Sequence, residues 1–155
     1  MNSHELNEEE TNKNVVRRIY QECLNEGKLE VAEQMIAPGF VSPGPDGGTG
    51  PEAFKTTASR LRNAFPDIHF NLQDLTAEND RVALRWTWEG THLGAFMRFP
   101  PTGKRVRQEA QVMYRLAAGK IVSAVIQVDR LGFLQQLGVL PEIPGILGAP
   151  QPATA

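Results

Sequence analysis

Two hydrophobic rhythms divide this chain, and they change over at Pro66. Before it, apolar residues recur every three to four positions, the spacing of helices with one buried face. Val15, Val16, Ile19, Tyr20, Cys23 and Leu24 predict a first helix, with Asn7 as its N-cap, Glu10 three residues on, and Gly27 as its stop. Leu29, Ala32, Met35 and Ile36 predict a short second helix ended by Pro38-Gly39. Ser42 to Gly50, with its repeated Pro and Gly, reads as a loop. Pro51 suits the first turn of a third helix, whose inner stripe is Phe54, Ala58, Leu61 and Phe65.

After Pro66 the period is two. Ile68, Phe70 and Leu72 alternate with polar residues, and Glu78-Asn79-Asp80 makes a turn. Val82, Leu84, Trp86 and Trp88 share one face of the next strand; Ala83, Arg85, Thr87 and Glu89 share the other. Beyond Pro100-Pro101-Thr102-Gly103, Val106, Gln108, Ala110, Val112 and Tyr114 face one way along a third strand. Ala118-Gly119 turns the chain into a last strand, Lys120 to Val128, and a short helix from Arg130 to Leu137 closes at Gly138. Helices followed by consecutive antiparallel strands predict an α+β fold, its curved sheet packed on three N-terminal helices around a concavity. The expected organisation is one domain over residues 1–140 and a Pro/Gly/Ala-rich tail, 141–155, disordered at its end.

Composition narrows the function classes. At 155 residues, 41% hydrophobic and 22% charged, the chain is long enough for one substantial core. A net charge of −2 gives no reason to expect nucleic acid or an anionic membrane as partner. The polar, acidic opening is unlike a secretory signal, so a cytoplasmic location is expected. With one cysteine, Cys23, and histidines scattered at positions 4, 69 and 92, no metal site is expected. No phosphate loop or Gly-x-Ser-x-Gly motif is present either.

Acid/base chemistry in an apolar cavity is what remains. Asp129 ends the last strand in apparent register with Ile121, Ser123, Val125 and Gln127. On a concave face its carboxyl would be desolvated, its pKa raised, and its use as a general acid/base favoured. It also directly precedes a helix, where an aspartate serves equally well as an N-cap. Position alone leaves these two readings level. Trp86 and Trp88 are candidates to stack on a flat ligand, or are ordinary core. Tyr114 and Tyr20 could donate to a carbonyl or satisfy a backbone group. Gln108 and Gln127, on faces predicted to point inward, need partners. His92, at a strand end, is expected near the cavity mouth.

Seven short landmarks come in order: Asn25-Glu26-Gly27, Ala64-Phe65-Pro66-Asp67-Ile68, Asn79-Asp80-Arg81-Val82, Gly90-Thr91-His92, Pro101-Thr102-Gly103, Gly119-Lys120-Ile121, and Asp129 with Gln136-Leu137-Gly138. In this the chain resembles the SnoaL-like polyketide cyclases of the nuclear transport factor two-like superfamily, from about Asn14 to Gly138. The resemblance implies a cone-shaped domain, a homodimer or homotetramer, and a cofactor-independent cyclase or isomerase of antibiotic biosynthesis acting on a hydrophobic, polyketide-like substrate. It implies that Asp129 is the acid/base of ring closure, with Tyr114, Gln108 and His92 as donors near the developing enolate. Trp86, Trp88, Gln127, Val125 and Tyr20 would line the substrate. Val125, Ser123 and Tyr114 stand where many relatives carry Trp, Glu and His, which implies a wider cavity with fewer ionisable groups. A hydroxylase or hydrolase of the same superfamily, or a non-catalytic binding module, are the other readings that the sequence leaves open.

Overall fold

The change of rhythm at Pro66 is the boundary between a helical layer and a sheet. A computed structural model describes residues 2–44 and 46–141, so the expected tail lies, but for Pro141, outside the described residues. The elements are α1 (Ser3–Arg18), a π-helical continuation (Ile19–Asn25), α2 (Val31–Met35), α3 (Gly50–Ala64), β1 (His69–Glu78), β2 (Arg81–Thr91), β3 (Arg105–Ala117), β4 (Lys120–Val128) and α4 (Arg130–Gln136). The strands form one antiparallel sheet in the order β1-β2-β3-β4. Among the described residues no helix is long and apolar enough to cross a membrane.

The first helix begins earlier than its pattern suggests. Asn2, not Asn7, is the N-cap: its side chain accepts from the His4 and Glu5 N–H groups, and the Glu5 carboxylate accepts from the Asn2 N–H. Asn2-x-x-Glu5 offers the same reciprocal cap as Asn7-x-x-Glu10, and the chain uses the first. At the other end the helix widens into the π-helical continuation. Glu26 N–H donates to Gln21 O, one residue further back than an α-turn allows. Ile19, Tyr20, Cys23 and Leu24 all stay buried through it. Gly27 ends the run at φ +75°, a left-handed turn that a side chain would strain.

Two amide side chains bolt helices to strands. Asn25 Nδ2 donates to Phe70 O (3.0 Å) while its Oδ1 accepts from Phe70 N–H (2.7 Å), so the side chain pairs with the edge of β1 like a further strand. Gln136 does the same to Arg107 of β3, at 2.8 Å in both directions. Arg62 of α3 adds two bonds to the Leu24 and Asn25 carbonyls, which the end of the helix would otherwise leave open.

Two bulges curl the sheet. In β1 the register slips between Leu72 and Asp74; between β3 and β4, Leu116 faces Ile121 but Arg115 faces Ser123. Each inserts one unpaired residue and increases the local twist. The second also reverses which face of β4 points inward. Ile121 is buried, but beyond it Ala124, Ile126 and Val128 take the inner face. This corrects the expected alternation, in which Ser123, Val125 and Gln127 continue the face of Ile121. Alternation cannot survive an extra residue.

Candidate active site

Helices and concave sheet face enclose a cavity of about 860 Å³. β2 and β3 supply its floor through Trp86, Trp88, Gln108, Val112 and Tyr114; the helical layer supplies Tyr20, Leu24, Phe54 and Leu61. Phe96 and Met97, from the loop after β2, and Leu131 of α4 lie around the opening, where Met97 and Leu131 are exposed.

Asp129 borders the cavity at the junction of β4 and α4. Its side chain is exposed, contrary to the expected desolvated position, because the β4 bulge changes the register that leads to it. Both readings of its position have a structural counterpart. Its Oδ1 accepts from Gly132 N–H at 2.9 Å, capping α4, and among the described residues no partner occupies Oδ2. Its backbone N–H donates to Glu109 O, which pins it to the end of β3. Gly132 lies directly under the carboxylate: a Cβ there would collide with Oδ2.

Trp88 and Gln108, opposite each other on β2 and β3, are linked by a bond from the indole N–H to Gln108 Oε1 (3.2 Å). An indole only donates, so the amide oxygen must turn toward it. Gln108 therefore keeps an NH2 group for the cavity.

Tyr20 and Tyr114 meet at the opposite end, hydroxyl to hydroxyl at 2.6 Å, both buried. Burial, then the neighbouring Tyr114, raises the Tyr20 pKa well above the ordinary phenol value; burial pushes Tyr114 up to about 12. Both are neutral donors at physiological pH. Trp86, only 4% exposed, stands beside them with its indole N–H unpartnered.

Three expected site residues are placed otherwise than expected. His92 is fully buried but not on the cavity wall; it stacks on Phe65 at 5.2 Å, and its Nδ1 accepts from Thr102 N–H at 3.2 Å. It clamps the 92–104 loop, whose ends also pair through His92 N–H to Lys104 O and Gly103 N–H to His92 O. Burial lowers its pKa. Val125 and Gln127 border the cavity along the β4 strand, yet both are exposed, Val125 at 66%, and share the outer face of Met113 and Gln111.

The sequence reading also missed residues. Phe40 and Ser42 enter the cavity wall from the loop before α3, and an Asp46–Arg60 ion pair sits on its border. Nothing periodic marks these loop positions. Phe54 and Leu61 stand on the predicted inner stripe of α3 and pack against the core, and they also line the cavity. Among the described residues no three His, Cys, Asp or Glu side chains gather as metal ligands would.

Residues 14–137 match the family model described as SnoaL-like polyketide cyclase. The chain is 30% identical over 131 residues to the aklanonic acid methyl ester cyclase DauD of Streptomyces sp. (strain C5), covering 80% of each. It is 28% identical over 126 residues to the nogalonic acid methyl ester cyclase of Streptomyces nogalater, covering 75% of this chain and 90% of that one. TsrD from Streptomyces laurentii shares the fold, with a TM-score of 0.79 over 84% of this chain and 96% of that one, at 23% identity. With the family model spanning most of its length, the chain belongs to the SnoaL-like polyketide cyclases.

Proposed function

We propose that this protein closes a carbocyclic ring in a polyketide-type ester by an intramolecular aldol step, with Asp129 moving the proton and no cofactor. The observation that carries the reading is a carboxylate, one oxygen held and the other free, at the wall of a cavity otherwise lined largely by apolar and aromatic side chains. The ionised Asp129 takes a proton from a carbon flanked by carbonyl groups, and the electron pair moves onto carbonyl oxygen as an enolate. The Gln108 NH2 is suited to donate to that oxygen. The carbanion then attacks a second carbonyl carbon. One C–C bond forms, the C=O becomes an alkoxide, and the protonated Asp129 returns its proton to that oxygen. Substrate and product are isomers, so no oxidant or reductant is consumed.

Trp88 and the other cavity aromatics would hold the flat substrate by its faces. The DauD-like relatives are named for aklanonic acid methyl ester, which makes that compound the first substrate to test. We further propose one domain over residues 1–140, working in the cytoplasm as a homodimer or homotetramer; the exposed Met113–Val125 pair on the outer face of β3 and β4 supports a self-association surface.

The test is Asp129→Asn with that ester, followed by chromatographic separation of the isomers. Asparagine caps a helix as well as aspartate, so the fold should hold. Turnover should fall about 100- to 10,000-fold. Wild-type turnover in the variant would sink the acid/base role. A wild-type protein that leaves the ester unchanged would remove that substrate.

A further inference from the structure

The cavity has a second polar pole, remote from Asp129. Tyr114 faces Ala124 across the β3–β4 ladder, and Asp129 lies five positions further along from Ala124. That is roughly 15 Å of strand. A group at the Tyr114 end therefore takes no direct part in proton transfer at Asp129.

Hydrogen-bond arithmetic says what this pole lacks. Tyr20, Tyr114 and Trp86 bring three donors: two O–H groups and one indole N–H. Only one bond joins them, between the two phenol oxygens. A single proton lies between those oxygens, so the other O–H has no partner among the described residues. The Trp86 N–H, sealed from solvent, reaches no partner at full hydrogen-bond geometry and has only the Tyr20 oxygen beside it, so the surplus open to a ligand is the free phenol O–H. Although burial dominates the Tyr20 pKa, Trp86 stands near enough to draw it back down. A donor-only group beside the Tyr20 oxygen favours that oxygen as acceptor. Tyr20 then donates to Tyr114, and the Tyr114 proton is left for the cavity. Phe70 packs edge-on against both Tyr20 (5.5 Å) and Trp86 (5.1 Å), so the corner is rigid and apolar apart from these heads. A buried surplus of donors is costly until an acceptor arrives.

We infer that the Tyr20–Tyr114–Trp86 corner is a binding subsite for a carbonyl oxygen of the ligand, selecting flat, elongated substrates that carry a keto or quinone group at the end remote from the new bond. This rests on the cavity being the substrate site; it does not rest on the role of Asp129. Tyr114 touches the ligand, while Tyr20 and Trp86 act through it as positioning residues.

Binding of 9-fluorenone and of fluorene tests it, because the two flat tricycles differ by one carbonyl oxygen. Affinities are read by quenching of tryptophan fluorescence, without turnover. Wild-type protein should bind fluorenone about tenfold more tightly, the worth of one hydrogen bond. Tyr114→Phe should bring the two within about twofold while fluorene binding stays as it was. Tyr20→Phe should retain part of the preference, and Gly39→Ala, away from the cavity, all of it. Equal binding by the wild type, no binding of either tricycle, or a preference that survives Tyr114→Phe overturns the subsite. The wild-type comparison stands even if Tyr114→Phe does not fold. Failure here leaves the Asp129 test untouched, and the reverse also holds.

Discussion

The two ends of the cavity are fixed by the same device in opposite surroundings. At the Tyr20 end, Asn25 at the close of the π-helical continuation zips onto the backbone of Phe70; at the Asp129 end, Gln136 at the close of α4 zips onto Arg107. Each amide is followed two residues later by a glycine at φ +75°, Gly27 and Gly138. The surroundings differ. The Asn25 clamp is half-buried and holds phenols shut off from water, whereas the Gln136 clamp is exposed and holds an exposed carboxylate. An enclosed end can keep hydrogen bonds waiting in a fixed direction; an open end can exchange protons with solvent. The proposed roles divide in the same way, recognition at the first and proton transfer at the second.

The largest effect expected from breaking that comparison is at Asn25. Asn25→Ala strands the N–H and C=O of Phe70 in a half-buried place, and should cost about 2–3 kcal/mol in denaturant unfolding. A loss below about 0.5 kcal/mol would show that the clamp is ornamental.

Next comes Gly132, where stability and activity should part. Its φ is ordinary, so Gly132→Ala is favourable to α4 by helix propensity. The new Cβ collides with Asp129 Oδ2, so the carboxylate must turn away. Turnover should drop about 10- to 100-fold, since a displacement of about 1 Å is worth that much, while the melting temperature stays nearly unchanged because the helix gain offsets the loosened Asp129 cap. Gly39→Ala, where nothing lies within 4 Å, serves as the silent control. A fully active Gly132→Ala enzyme would mean that the carboxylate is not held for catalysis.

Gln136→Ala should cost less than Asn25→Ala, about 1 kcal/mol, because water can replace the amide at an exposed clamp. A cost equal to that of Asn25→Ala would erase the contrast between the two ends.

Much of this was legible in the sequence. The helical stripe of Val15 to Leu24 and the alternation of Val82 to Trp88 describe faces that do pack inward. So do Gln108 and Tyr114, because β2 and β3 pair without a slip from Thr91↔Arg105 to Arg81↔Arg115. β4 was misread for one physical reason. A bulge adds a residue that alternation cannot see, and Ser123, Val125 and Gln127 move to the outer face together. The π-helical continuation was invisible because a widened turn buries the same residue types as an α-turn. The landmarks Asn25-Glu26-Gly27 and Gln136-Leu137-Gly138 could be read as signatures but not as clamps, since their partners lie at distant Phe70 and Arg107. Phe40 and Asp46 join the cavity through loop geometry that no period encodes.

The smallest effect concerns His92, expected as a donor near the enolate and found instead clamping the 92–104 loop behind Phe65. Its ring is buried against Phe65, Nδ1 accepts a backbone N–H from Thr102, and Nε2 has no partner. A neutral ring with its proton on Nε2 suits Nδ1 as acceptor; a second proton would meet the Thr102 N–H head-on. Burial therefore lowers the folded pKa below the ordinary histidine value of 6.5. The unfolded chain takes up the proton first as pH falls, so the unfolded state binds more protons in that window and stability rises with pH. The contribution is complete above about pH 6.5 and drains away as pH drops from there through the folded pKa. Gln in place of His keeps an acceptor for Thr102 and removes the titration. Unfolding by urea at pH 7.5 and pH 5.0 should show the wild type losing more stability than His92→Gln across that interval. Parallel losses would mean that His92 meets its proton equally well folded and unfolded, and that the ring is not sealed behind Phe65.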